Sequence, residues 1–253
     1  MARELTERGW EVPPFRIDVA DYRSYLDRAD YARFKDYYAR PGQLWFHEKS
    51  LEHYLAAVLL DLGPDDVYID VANAHSPAPD VYQHLFGCKV YRQDMIYPVG
   101  IQGNVIGGDA AQMPLPDGFA GKMALHCSFE HFEGDSDAGF IREARRVLRP
   151  GGRVCILPLY LFQTYAIQTD PLAQPPGRMD FEPDATLHCV QGYINRHGRF
   201  YDADHLERRI MSNLGDLKMT LYDVQNTGEV DASCYLRFMM VLEKPANSDK
   251  DES

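Results

Sequence analysis

The sequence predicts an α/β protein with a doubly wound, mostly parallel sheet of seven strands. Three observations predict it. Short β-rich runs alternate with helical segments between residues 67 and 160, the pattern of parallel βαβ units. One run, residues 153–160, is apolar almost throughout, as a strand is when helices cover both faces of its sheet. The last two runs, 217–224 and 233–242, are joined only by residues 225–232. No helix fits between them, so they form an antiparallel pair at one edge.

The elements follow in order. Residues 1–20 carry Pro13-Pro14 and little periodicity, and read as an arm. Residues 21–40 are rich in tyrosine and end at Pro41-Gly42. Leu51, Tyr54, Leu55, Val58, Leu59 and Leu62 share one helical face, with Ser50 as the expected N-cap and Gly63-Pro64 as the stop. Strands are expected at 67–71, at 89–92 ending near Asp94, weakly at 103–108, and at 122–127. Short helix 80–86 closes on Gly87. A longer helix is capped by Asp137, buries Phe140, Ile141, Ala144, Val147 and Leu148, and ends at Pro150-Gly151-Gly152. Residues 163–200 read as a long Pro- and Gly-rich insertion. Residues 204–214 read as a helix with a capping box from Asp204 and Glu207. The organisation expected is an N-terminal arm with capping helices (1–64), an α/β domain (65–245) and a polar tail (246–253).

Composition bounds the function. The 253 residues are 45% hydrophobic and 25% charged, enough to bury a sizeable core and too apolar for disorder over most of the chain. A net charge of −12 argues against a nucleic-acid partner, since a phosphate backbone selects a basic face. The longest apolar run, 154–162, is far short of the roughly 20 residues of a spanning helix, and the first residues lack an apolar signal core. The five cysteines are scattered with no CxxC pair, so neither a disulfide framework nor a zinc site is expected. These features describe a cytoplasmic protein without membrane or nucleic-acid partners. They leave its oligomeric state open.

In an open parallel sheet, ligands sit beyond the carboxyl ends of the strands. Four segments occupy that place: 70–76, Asp94, Asp109-Ala110 and 126–131. The stretch Gly108-Asp109-Ala110-Ala111-Gln112-Met113-Pro114-Leu115-Pro116-Asp117-Gly118-Phe119 resembles a signature of class I S-adenosylmethionine (SAM) methyltransferases. Ser128-Phe129-Glu130-His131 resembles that family's Glu-His after strand four, and Glu143-Ala144-Arg145-Arg146-Val147-Leu148-Arg149-Pro150-Gly151-Gly152 its helix end and turn. The order, the spacing and the antiparallel last strand all agree over roughly residues 65–160 and the closing elements.

The resemblance implies SAM as cofactor and methyl transfer to a small-molecule acceptor at oxygen or nitrogen. It makes Asp94 the acceptor for the ribose hydroxyls, since a carboxylate holds a vicinal diol with two oxygens. Asp109 would accept from the adenine amine and Ala110 would leave room for the ring. Asp70, Ala72, Asn73, His75 and Ser76 form the loop that would meet the cofactor, and Cys127, beside His126, would border its methionine part. The loop departs from the family pattern, which places glycines where this chain has Ala72, Ala74 and Ser76. A module that kept the fold and lost the cofactor is therefore the alternative.

His131 is the candidate general base, or else a brace for its own loop. His75 contacts ligand or caps the next helix. A metal site from His126, Cys127, Glu130 and His131 lacks a metal-binding spacing, and none is expected. Trp45, Phe46, His47 and Lys49 are placed near the mouth. Tyr193, His188, His197 and Arg178 of the insertion are the expected specificity residues. Tyr31 and Lys35 match the Tyr-x-x-x-Lys of short-chain dehydrogenases, but they precede the first strand, where that chemistry has no place.

Overall fold

The computed structural model describes residues 1–173, 179 and 181–247. Arg178 and the tail beyond residue 247 lie outside the described residues. The chain opens with α1 (Ala2–Glu7), β1 (Pro14–Phe15), α2 (Val19–Ala29) and α3 (Phe46–Leu60). The sheet then builds through β2 (Val67–Val71), α4 (Ala78–Phe86), β3 (Lys89–Gln102), β4 (Val105–Gly107), β5 (Ala120–His126), α5 (Ser136–Val147) and β6 (Leu148–Leu157). The small strands β7 (Ala166–Thr169), β8 (Thr186–Cys189) and β9 (Gly198–Phe200) follow, then α6 (Ala203–Arg209), β10 (Lys218–Val224) and β11 (Phe238–Glu243).

Eight strands, not seven, form the main sheet, in the order β1-β10-β11-β6-β5-β2-β3-β4. The eighth is β1, from the segment read as an arm, which pairs parallel to β10 at the edge. β11 is antiparallel to both β10 and β6, and the central pairs are parallel. Side chains alternate across the sheet as strand geometry requires. Ile69, Met123, Leu125, Val154 and Ile156 pack under α5 and α6. Tyr68, Val90, Ala124 and Cys155 pack under α2, α3 and α4. Asp70 shares the parity of Tyr68, and His126 that of Ala124, so both point to the α3 face.

Several boundaries differ from expectation. α3 begins four residues before Ser50, with Trp45 at its N-cap. The Ser50 hydroxyl bonds back to the Phe46 carbonyl at 2.7 Å inside the helix. α2 stops at Ala29, where Asp30 turns left-handed, and apart from a 3-10 turn at Tyr31–Arg33 the remainder of 21–40 is irregular. β3 runs on to Gln102 and folds back on β4. A Cβ at Gly107 would collide with the Pro98 carbonyl, so only glycine permits this hairpin. α5 is entered through Asp135, not Asp137. Asp202 caps α6, accepting from the His205 N–H at 2.9 Å, and the Asp204–Glu207 box is absent. The insertion carries its own three-stranded sheet, β8-β7-β9. Local sequence missed these because they depend on distant partners. Asp137, for example, is recruited by Tyr201, Arg199 and Arg209.

Candidate active site

A cleft of about 1140 Å³ opens over the carboxyl ends of β2, β3, β5 and β6. This is the place where crossovers from β2 diverge and a ligand site is expected. Of the predicted residues, Ala72, Asn73, Ser76, Asp94, Asp109, Ala110, Cys127 and His131 line it. Asp70 and His75 do not.

The bend after β2 has an unusual backbone. Ala72 has φ 51°, Ala74 φ 41° and His75 φ 66°. Left-handed conformations cost a non-glycine residue about 1–2 kcal/mol. The loop is held there by a dense set of bonds. The Ala72 N–H donates to Gln93 Oε1 at 3.3 Å and the Ala74 N–H to Asp94 Oδ2 at 2.8 Å. Asn73 Nδ2 donates to Asp70 Oδ2 at 2.5 Å, and its backbone N–H to the Gln93 carbonyl at 3.0 Å. The chain thus keeps a glycine-type path with alanines at two of the glycine positions, and only methyl groups project from them. Ala72→Gly should relieve the backbone strain against a smaller loss of unfolded-state restriction. The expected gain is about 0.5–1 kcal/mol in chemical denaturation; a loss of that size would refute the strain.

Asp94 accepts from Ala74 N–H and, through Oδ1, from Ile96 N–H at 3.1 Å. A carboxylate has about four acceptor sites, so this brace leaves capacity for a ligand. Asp109 Oδ1 accepts from the Ala111 N–H at 2.8 Å, while Ala110 beside it is buried. The segment that follows is pinned by α5. Glu143 Oε1 accepts from the Met113 N–H at 2.7 Å, and Arg146 donates to the Leu115 carbonyl and to Asp117, both at 2.7 Å. Gly139 allows the close approach, since a Cβ there would meet Ala111 Cβ at 2.8 Å. The two sequence signatures are therefore halves of one contact.

Asp70 lies beneath the loop, nearly fully buried, and accepts from the Tyr68 hydroxyl at 2.7 Å. Burial raises its pKa to about 7 against the lowering effect of the Asn73 and Tyr68 hydrogen bonds. Asp70 is bonded to Asn73 and does not line the cleft. His75 is exposed, with its ring 6.4 Å from that of Tyr97. It is no cap either: the Ala78 N–H that opens α4 donates to Ser76 Oγ at 3.2 Å.

Local sequence reading missed His53 and Glu52, which α3 contributes beneath the cleft beside the expected Lys49. His53 Nδ1 is 2.7 Å from the Tyr31 hydroxyl and its Nε2 3.3 Å from Ser76 Oγ, tying the N-terminal tyrosines to the loop. Tyr31 is thus a buried structural residue. His53 stacks edge-on against His126, 4.8 Å between centroids. Burial, then the charge of Lys49, lowers the His126 pKa to about 3, so this ring is neutral beside Asp70. Lys49 donates to Glu52 at 2.8 Å, and Glu52, fully buried, has its pKa raised by burial to about 8. The positions of Lys49 and Glu52 on one helical face could have signalled this pair; their destination could not be read.

The other wall comes from the end of β5 and the insertion. Cys127 adopts φ 49°, and its Sγ is 3.2 Å from Glu130 Oε1 and 3.5 Å from the Tyr160 hydroxyl. Burial, then the Glu130 charge, pushes its thiol pKa well up, so it is no nucleophile. His131 Nδ1 is 2.5 Å from the His197 carbonyl and its Nε2 3.6 Å from Glu130 Oε1. A carbonyl only accepts, so Nδ1 carries the proton and Nε2 presents a lone pair when the ring is neutral. Among the residues predicted at the mouth, Trp45 and Lys49 line the cleft and Phe46 and His47 do not. Tyr193 of the insertion lines it too. His197 serves it through its carbonyl, and His188 stands outside.

Residues 87–156 match the family model described as a methyltransferase domain. No curated protein matches the chain. Among solved structures, the Burkholderia thailandensis 1,6-didemethyltoxoflavin-N1-methyltransferase, with 1,6-didemethyltoxoflavin and S-adenosylhomocysteine bound, aligns over 93% of this chain and 94% of its own. Its identity is 15% and the TM-score 0.50. The geranyl diphosphate C-methyltransferase of Streptomyces coelicolor aligns over 94% and 89%, at 13% identity and a TM-score of 0.48. Human N-acetylserotonin methyltransferase aligns over 97% and 66%, at 16% identity and a TM-score of 0.47. At such identities the likeness is one of fold.

Proposed function

From a chain that has the class I methyltransferase fold and matches the methyltransferase domain over residues 87–156, we propose SAM-dependent methyl transfer to a small-molecule acceptor at oxygen or nitrogen. The observation that carries this reading is the bend at Ala72–His75. It holds a glycine-type backbone at a cost in strain, and it leaves the cleft open instead of filling it. Strain that persists in a cleft signals a function the loop serves.

The residues fit the cofactor. Asp94 would accept from the ribose hydroxyls, Asp109 from the adenine amine, and Ala110 gives room for the ring. Ala72, Asn73, Ser76 and Cys127 would border the methionine part. Bound SAM supplies an electrophilic methyl group on a sulfonium sulfur. The chain's own part is to orient the acceptor, exclude water and take up a proton. His131 Nε2 is placed to receive that proton, with Nδ1 anchored on the His197 carbonyl. Tyr38, Trp45, Tyr160 and Tyr235 line the cleft and would limit water around the acceptor. The N-terminal segment 1–64 acts as the cap of the site, and the protein works in the cytoplasm. No helix among the described residues is long and apolar enough to cross a membrane.

Calorimetry with S-adenosylhomocysteine tests the reading. Wild type should bind, and Asp94→Ala should weaken binding by about 1–3 kcal/mol, the cost of an unmade buried hydrogen bond. Absence of heat at millimolar ligand would favour a module that kept the fold and lost the cofactor.

A further inference from the structure

The inner half of the cleft is rich in charge, and most of it is paired. Lys49 meets Glu52 at 2.8 Å, and Arg196 meets Glu133 at 2.8 Å. Glu48 accepts from the backbone N–H of Tyr235 at 2.9 Å. Among the described residues three buried carboxylate oxygens have no hydrogen-bond partner, Glu48 Oε1, Glu52 Oε2 and Glu130 Oε2, and of these three residues only Glu130 borders the cleft. It lines the cleft and is 4% exposed. Its Oε1 faces Cys127 Sγ at 3.2 Å and His131 Nε2 at 3.6 Å. Its Oε2 is shielded from solvent and, among the described residues, has no hydrogen-bond partner. A carboxylate oxygen removed from water without a donor costs free energy until a donor arrives.

The surroundings say what kind of donor. The Tyr160 hydroxyl is 3.5 Å and the Tyr235 hydroxyl 3.8 Å from the Cys127 Sγ that contacts Glu130. The Tyr193 ring centroid is 6.4 Å from that of His131. A carboxylate with spare acceptor capacity, beside three tyrosines and with the His131 ring nitrogen 3.6 Å away, suits a group with several N–H donors. A hydroxyl has one donor and no charge, and would leave Glu130 short.

We propose that the methyl acceptor is an amine, recognised by Glu130 within the wall of Tyr160, Tyr193 and Tyr235. This rests on the methyl-transfer reading and narrows its acceptor to nitrogen. Glu130 accepts from the N–H groups of the bound ammonium form and His131 Nε2 takes one of its protons; the freed nitrogen lone pair then forms the N–C bond as the S–C bond of bound SAM breaks, and S-adenosylhomocysteine leaves.

The test separates the two readings. Phenethylamine and phenethyl alcohol, matched in size, are titrated by calorimetry into the full chain, with and without saturating S-adenosylhomocysteine. Binding of S-adenosylhomocysteine itself is measured in parallel. The amine should bind at least about tenfold tighter than the alcohol, a difference of about 1.4 kcal/mol. Glu130→Gln should bring that ratio close to one with S-adenosylhomocysteine affinity unchanged, and Glu130→Asp, which keeps the charge, should restore part of it. Equal binding of the two probes, binding of neither, or an amine preference that survives Glu130→Gln overturns the proposal. Weakened S-adenosylhomocysteine binding in that variant with the preference intact assigns Glu130 to the cofactor and also overturns it. An amine preference without any S-adenosylhomocysteine binding supports the amine site and removes the methyl-transfer reading instead.

Discussion

Asp137→Asn should cost about 3–5 kcal/mol of stability, the usual penalty for breaking a buried ion pair from one side. In a domain of this size that is a fall in melting temperature of roughly 6–20 °C. Asp137 is fully buried. It accepts from Arg209 Nε at 2.9 Å and from the Tyr201 hydroxyl at 2.7 Å, and it meets Arg199 Nη1 at 2.8 Å. Arg199 is itself fully buried and also donates to the Phe132 and Gly134 carbonyls, both at 2.9 Å. The amide leaves two guanidinium groups in the interior facing a neutral partner with donors of its own. The backbone they hold, residues 132–134, directly follows Glu130 and His131, so cofactor-independent probe binding should weaken as well. A calorimetric melt within 2 °C of wild type, a shift expected of less than about 1 kcal/mol, would show that the network contributes little.

The same residue sets an acid limit. Burial works against ionisation of Asp137, but the Arg209 hydrogen bond and the Arg199 charge outweigh it and hold its pKa below the ordinary carboxylate value. A carboxyl group with a lowered folded-state pKa contributes stability above its unfolded value of about 3.9. That contribution is lost as pH falls through the folded value. The difference between wild type and Asp137→Asn should therefore be constant near neutrality and shrink only below about pH 4.

His131→Asn should lower kcat by about 10²–10⁴, the range for losing a positioned general base. Affinity for S-adenosylhomocysteine should stay within about twofold. The asparagine amide can still donate to the His197 carbonyl as His131 Nδ1 does. It keeps the brace and removes only the lone pair at Nε2. If instead the variant retains near-normal kcat while His131→Ala does not, bracing is the whole role of the residue. Product analysis with the best amine acceptor would supply the rate measurement.

Much of the fold was legible because its information is local. The short β-rich run Val67–Val71 and the apolar run 154–157 each read as strands buried on both faces, and both helical layers are found. The segment 108–119 and the helix end 143–152 read as one pattern because Glu143 and Arg146 bond to the first segment's backbone. Other features were not legible. Two residues of β1 make a strand only against β10, more than 200 residues away. Asp137 looked like a cap because capping and ion pairing use the same residue type. His75 sits in the expected loop, yet the left-handed turn at its own Cα carries it away from the cleft. His53 belongs to the helix face that reads as core, and only the packing of α3 over β5 and β6 brings it to Ser76 and His126.

By itself the amino-acid order determined the layered sheet, the acidic residues at the strand ends and the family signature, since hydrophobic period and short motifs act between near neighbours. Only the tertiary structure decided that alanines can follow a glycine-type bend, that Asp70 lies beneath the loop bonded to Asn73, and that one Glu130 oxygen is buried without a partner beside the cleft. Each of those depends on which charges and hydrogen-bond donors are brought together from distant parts of the chain, and on how little water remains between them. Burial of that kind is a property of the packed molecule.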